Sequence, residues 1–202
     1  MPLQAPLWTG PLRLLIVAGL ALSIAACSTS PRTSRPIVTA EPRDGAAEGA
    51  FFKDDGPGER SLEELDRIPE PVPRLEGLLA RANRPYQVEG QLYIPMRALE
   101  PYRAEGMASW YGRRYHGRPT ASGEVYDMYA LSAAHPVLPL PSYARVTHLA
   151  SGRAIVVRIN DRGPFIGGRE IDLSYAAAHR LGMRTAGSAR VRVDLLLPGR
   201  DF

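Results

Sequence analysis

The sequence predicts a mainly β domain in its C-terminal half, a small closed barrel with one or two short helices. Three observations predict it: short segments of alternating polarity, Gly and Pro turns between them, and one well-bounded helix. Residues 86–88 and 91–94, joined across Glu89 and Gly90, read as a hairpin leading into the domain. Ala144, Val146 and His148 alternate with Tyr143, Arg145 and Thr147, and a turn at Ser151 and Gly152 leads to the β-branched strand 155–160. Ala189, Val191, Val193 and Leu195 alternate with Arg190, Arg192 and Asp194, the pattern of a half-buried strand with a charged outer face. The helix takes Ser174 as its cap, buries Ala176, Ala177 and Leu181, and stops at Gly182. About 100 residues of this kind bury enough surface to fold without a disulfide or a metal.

The remainder of the 202 residues reads as address, anchor and tether. Arg13 precedes an apolar run over 14–24, too short to span a bilayer as a permanent helix, and the pattern is that of a secretory signal. Ile24-Ala25-Ala26-Cys27 is similar to a bacterial lipobox, which implies a lipoprotein signal peptide over 1–26 and acylation of Cys27. The other reading of Cys27 is a buried thiol behind an ordinary signal. Acyl chains contribute about 0.8 kcal/mol per buried CH₂, so several of them anchor a protein stably. By resemblance to lipoprotein sorting, Ser28 after the cysteine implies the periplasmic face of the outer membrane. Cys27 is the only cysteine, so no intramolecular disulfide can form.

Residues 27–84 are rich in Ser, Pro, Gly and mixed charge without a sustained apolar period, and are expected to form a flexible linker. Two short helical signals interrupt it, a capping box from Ser61 to Glu64 and an apolar stretch over 75–82. Charge divides the chain: residues 28–101 hold 13 acidic and 10 basic side chains, residues 102–202 hold 8 and 14. A basic domain raises nucleic acid as a partner, but the export signal and the lack of a basic run interleaved with aromatics exclude it. An anionic envelope polymer or a lipid headgroup stays open beside a merely soluble basic surface.

Chemistry-bearing residues concentrate in residues 106–172. Asp161 ends strand 155–160 just before the turn at Arg162, Gly163 and Pro164, which suits a general acid at the rim of a groove, or else an Asx-type turn or a pair with Arg162. Glu124, in a loop, reads by itself as a solvated carboxylate, and His135, ahead of Pro136, as a hydrogen-bonded structural histidine. Asp172 reads as a capping or core-network residue. Trp110, Tyr111 and Tyr115 either stack on sugar faces or belong to the core. His116, His135, His148 and His179 show neither HxH nor HExxH spacing, so no metal is expected. No GxSxG elbow, phosphate loop or GxGxxG occurs, and no cofactor is expected.

GMASWYGRRYHGRPTASGEVYD at 106–127, SAAHPVLPLPSYARV at 132–146, VVRINDRGPF at 156–165 and REIDLS at 169–174 together closely resemble the rare lipoprotein A family. The resemblance implies a six-stranded double-psi β-barrel over 85–202. It implies an endolytic peptidoglycan lytic transglycosylase that cuts the MurNAc–GlcNAc bond of peptide-stripped strands and leaves 1,6-anhydro-MurNAc ends. Asp161 falls on the family's catalytic acid, Glu124 and His135 on its supporting residues. Substrate contacts are expected from Trp110, Tyr111, Tyr115 and Arg162. Implied partners are glycan strands, the membrane through Cys27, and cell-division proteins. Many members carry a C-terminal SPOR domain that binds denuded glycan; none is read before Phe202, which leaves glycan binding to the barrel groove or the linker. Two other classes stay open: a noncatalytic glycan-binding or envelope-organising lipoprotein, and a hydrolase related to cellulases and expansins, whose members lean on disulfides.

Overall fold

The computed structural model describes residues 55–202. The signal run, Cys27 and the first part of the expected linker lie outside the described residues. The hairpin forms as read, with β1 (Tyr86–Val88) antiparallel to β2 (Gln91–Tyr93). Six further strands close into a barrel: β3 (Arg103–Tyr111), β4 (Ser132–Ala134), β5 (Ser142–His148), β6 (Ala154–Asp161), β7 (Ile171–Ser174) and β8 (Ala189–Leu195). Their order around the barrel is β3-β7-β4-β6-β5-β8. The pairs β3/β7 and β4/β6 are parallel, and the others are antiparallel.

Alternation decides which side chains fill the barrel. Val146, Ile155, Val157, Ile159, Val191, Val193 and Leu195 are buried, while Arg145, Arg158 and Arg192 on the same strands point outward to charge partners or solvent. β3, β4 and β7 were not expected. β4 is buried at all three positions because β6 and β7 cover it on both edges, and its Ser-Ala-Ala composition carries little apolar signal. The helix α2 (Tyr175–Leu181) begins and ends where its caps predict. Ser174 Oγ accepts from Ala177 N at 3.2 Å, and Gly182 adopts φ 82°, a left-handed conformation that a side chain would disfavour.

The expected linker is a strap from residue 55 onward. Asp55 is 9% exposed and accepts from the N–H groups of Gly112 at 2.8 Å and Arg114 at 3.1 Å. A side chain at Gly112 would lie 2.6 Å from the carbonyl oxygen of Gly56, so strap and barrel approach closely only because that residue is glycine. The Ser61–Glu64 capping box is made and starts α1 (Leu62–Asp66), whose Leu65 is fully buried in the main core. Farther on, Glu70 accepts from Val156 N at 2.9 Å, and Glu76 meets Arg158 and accepts from Tyr143 Oη at 2.6 Å. No helix forms over 75–82; Leu79 N instead donates to Leu140 O at 2.9 Å. The segment lacks an apolar period because it docks through single anchoring residues rather than through one continuous face. Leu65→Ala in the full chain is expected to cost roughly 2–5 kcal/mol of unfolding free energy, the range for a buried leucine. Urea denaturation checks it, and a near-zero change would mean that the strap does not belong to the folded unit.

Candidate functional site

The barrel places two carboxylates in one row. β4 lies between β6 and β7, and Ala134 pairs with Asp161 on one side and Asp172 on the other. Ser109 of β3 pairs with Asp172 and extends the row. Two strand spacings put the Cα atoms of the two aspartates about 10 Å apart. The methyl side chain of Ala134 between them leaves room, and all three residues line a cleft of about 280 Å³. The hairpin contributes Val88 and Glu89 to its wall, the turn after β6 contributes Phe165 and Ile166, and Tyr111 and Tyr115 complete another side.

Asp161 is half-buried, and its Oδ1 accepts from the N–H groups of Ala121 and Arg162, each at 2.8 Å. Oδ2 accepts no hydrogen bond among the described residues. Burial pushes its pKa above the ordinary aspartate value, against the two backbone donors and the Arg162 charge, which pull it down. Asp172 is also raised, again chiefly by burial, but both its oxygens are engaged: Ser109 Oγ donates to Oδ1 at 2.6 Å and Arg169 Nη2 to Oδ2 at 3.1 Å. The cleft thus holds one carboxylate with a free oxygen and one locked by partners. Asp172, expected to be a capping or network residue, keeps its network and also lines the cleft. The alternation of Ile171, Asp172 and Leu173 is the signal that would have placed it in a strand.

Glu124 lies elsewhere. Its carboxylate accepts from Arg158 Nη2 at 2.8 Å and Asn160 Nδ2 at 2.9 Å, and it does not line the Asp161 cleft. Burial raises its pKa, but the Arg158 and Asn160 contacts outweigh that and the net direction is down. Glu76 of the strap shares Arg158 and is held at about 2, mainly by that arginine. The loop carrying Glu124 still touches the site, because Ala121 on it supplies one N–H to Asp161.

His135 is 1% exposed. Its Nδ1 accepts from the N–H groups of Val137 and Leu138, which assigns the proton to Nε2, facing Glu170 at 3.1 Å and Tyr102 Oη at 3.3 Å. Burial lowers its pKa despite Glu170, which favours the neutral ring. The ring does not line the cleft, yet the His135 N–H donates to the Asp161 carbonyl at 3.1 Å and ties β4 to the end of β6.

The four residues expected on the substrate separate. Trp110 packs edge-on against Tyr175 and donates Nε1 to Arg184 O at 3.1 Å, on the face of β3 opposite Tyr111 and away from the cleft. Tyr111 is buried, stacked on Tyr126 at 4.2 Å, and supports Tyr115, whose ring stands edge-on to it at 6.0 Å and is 39% exposed. Arg162 lines the cleft, but its guanidinium donors all go to protein acceptors, which leaves only its face and stem to meet a ligand.

Comparison with known proteins accords with this geometry. The family described as lytic transglycolase, a double-psi β-barrel domain, matches residues 103–193. The endolytic peptidoglycan transglycosylase RlpA of Pseudomonas aeruginosa strain PAO1 is 51% identical over 135 residues, 67% of this chain and 39% of that protein. RlpA of Neisseria meningitidis serogroup A is 50% identical over 130 residues, 64% of this chain and 54% of that protein. The aligned part therefore spans about half or less of these relatives' own length. Among solved structures, a Streptomyces papain inhibitor is 21% identical over 48% of this chain and 96% of its own, with a TM-score of 0.40. With the closed six-stranded barrel and the cleft residues in place, residues 103–193 are assigned to the double-psi β-barrel domain family described as lytic transglycolase.

Proposed function

We propose that the protein is an endolytic peptidoglycan lytic transglycosylase that cleaves the MurNAc–GlcNAc bond and leaves 1,6-anhydro-MurNAc ends. The observation that carries this reading is Asp161: a carboxyl with one oxygen pinned by backbone donors, one unpaired, and a raised pKa, in a cleft wide enough for a sugar. The reaction needs one proton donor and no bound water. Asp161 protonates the glycosidic oxygen as the bond from MurNAc C1 breaks, and the O6 hydroxyl of the same MurNAc closes on C1. The Asp161 carboxylate takes the hydroxyl proton, so the acid is regenerated and atoms balance. Because the nucleophile belongs to the substrate, placement of one sugar ring replaces the capture of a second molecule. Ala121 and Arg162 N–H groups orient the carboxylate, the His135 N–H fixes its backbone, and Tyr115 offers an exposed ring to a sugar face.

Glu124 fits this scheme as a positioning residue, holding Arg158 and Asn160 next to Asp161 in β6. The same engagement favours a second reading, in which the barrel binds glycan without cutting it, because the supporting acid implied by resemblance is absent from the cleft. We further propose a lipid anchor at Cys27 on the periplasmic face of the outer membrane. Glycan strands are then the substrate, with cell-division proteins as candidate neighbours.

Digestion of peptide-stripped glycan followed by mass spectrometry decides among the readings. Anhydro ends support the transglycosylase, reducing ends a hydrolase, and unchanged strands a binding protein. Asp161→Asn is expected to lower kcat by roughly 100-fold or more with little change in KM, and undiminished anhydro ends from that variant would refute its role. Tyr115→Ala is expected to raise KM by about 3- to 10-fold at nearly constant kcat, from the loss of one stacking contact. His135 contributes to stability with a defined sign. Its folded pKa lies below the ordinary 6.5, so the unfolded chain gains the proton first as pH falls, and stability complete above about pH 7 declines through 6.5. Urea midpoints measured at pH 7.5 and pH 5.5 are expected to fall for the native chain and to fall less for His135→Gln.

A further inference from the structure

We propose that Asn83, in the strap, is a positioning residue for the Asp161 site: it withholds the Arg162 guanidinium from the adjacent carboxyl and so leaves that carboxyl able to carry a proton. The use made of that proton rests on the transglycosylase reading above.

Arg162 follows Asp161 in the chain and is the nearest source of positive charge. An ion pair between them would favour the ionised carboxylate and oppose a proton-donating role. The only hydrogen bond between the two residues runs from the Arg162 backbone N–H to Asp161 Oδ1 at 2.8 Å. The guanidinium is held elsewhere. Nε and Nη2 donate to Ala82 O at 3.3 and 3.1 Å, Nη1 to His135 O at 3.0 Å and Leu138 O at 2.6 Å, and Nη2 to Asn83 Oδ1 at 2.7 Å. All five of its N–H donors are therefore taken.

Asn83 is the only side chain among those acceptors, and its own geometry leaves no freedom to turn. It is 8% exposed; Oδ1 also accepts from Leu140 N at 2.8 Å, while Nδ2 donates to Leu140 O at 2.8 Å and Leu79 O at 3.1 Å. A flipped amide would set donor against donor at both Leu140 N and Arg162, so the oxygen must face the guanidinium. The Tyr86 ring, 6.0 Å from the Arg162 guanidinium carbon, covers the same group from the hairpin.

The other titratable or charged groups at the cleft do not replace Arg162 in this role. Arg169 is bound to Asp172, Glu89 carries the same sign as an ionised Asp161, and Tyr111 and Tyr115 are phenols. Whether Asp161 has a cation at its side chain therefore depends on where Arg162 is tied, and the one tie made by a side chain runs to a residue 79 positions earlier, beside four to backbone carbonyls.

The test is a pH titration of the Asp161 carboxyl carbon by NMR in the full chain, with the Asp161→Asn spectrum for assignment. In Asn83→Ala one Nη2 donor loses its acceptor and becomes available to Asp161, and the midpoint is expected to fall by about one pH unit or more. In Asn83→Ala/Arg162→Gln, which removes the charge, the midpoint is expected to return to within a few tenths of the native value, as a coupled pair requires. An unchanged midpoint in folded Asn83→Ala overturns the proposal, and so does a fall that persists in the double variant. Should Asn83→Ala fail to fold, Arg162→Gln alone decides: a rise below about half a pH unit supports a charge already held away, and a rise of about one unit or more overturns it. These readings do not depend on turnover, so failure of the transglycosylase reading would appear separately, in the glycan digestion. In an active protein the alkaline limb of kcat moves to lower pH in Asn83→Ala by the same amount as the midpoint, with KM essentially unchanged.

Discussion

Three residues, Ser132–Ala134, hold the site together. β4 pairs in parallel with β6 and antiparallel with β7, so two strands running in opposite directions bring Asp161 and Asp172 to the same level of the barrel. The register shift between Ala133 and Ala134 aligns Ala134 with both aspartates. A larger residue at Ala134 would fill the space between the carboxylates, and a pairing slipped by one residue would turn the row to the other face of the sheet. The pairing through β4 is thus the condition for the cleft, since the two aspartates lie on different strands that meet only across it.

Within that frame, each acid is distinguished by what surrounds it. Asp161 has two backbone donors on one oxygen and no charged side chain bound to it. Asp172 is fully satisfied by a hydroxyl and a guanidinium. Glu124 and Glu76 share Arg158 and are held ionised. Burial raises the first two, and arginine contact lowers the last two. Of these four acids, only Asp161 joins a raised pKa to an unpaired oxygen, the combination that proton transfer to a bound ligand needs.

Much of the barrel was legible because three neighbouring strands obey alternation: β6, β5 and β8, with the hairpin and both caps of α2, appear where the pattern puts them. β4 and β7 were not legible. β4 is buried on both sides with small residues, and β7 is so short that Asp172 looks like part of the cap of the helix that follows. For the site, spacing placed Asp161 at a strand end but left its role open, and only resemblance singled out Glu124 and His135. The structure sets both behind the cleft rather than in it, a distinction that depends on which partner each side chain finds across the fold. The aromatics show the same limit: adjacent Trp110 and Tyr111 necessarily face opposite sides of β3, yet the sequence does not say which side carries the cleft.

The strap changes what counts as the working unit. The family match covers residues 103–193, and the closed barrel fits nearly within it. Yet Leu65 fills part of the core, Asp55 satisfies two N–H groups at the end of β3, Glu76 occupies Arg158, and Ala82 and Asn83 hold the residue next to Asp161. Each is a separate anchor, so each contributes without the apolar period by which a packed segment is usually recognised. A polar segment can belong to a core when its contacts are few, specific and fully hydrogen-bonded, because the partners it leaves behind would otherwise be buried without satisfaction. By that argument the physical domain begins no later than Asp55, and the stretch read as tether supplies the outermost supports of the site.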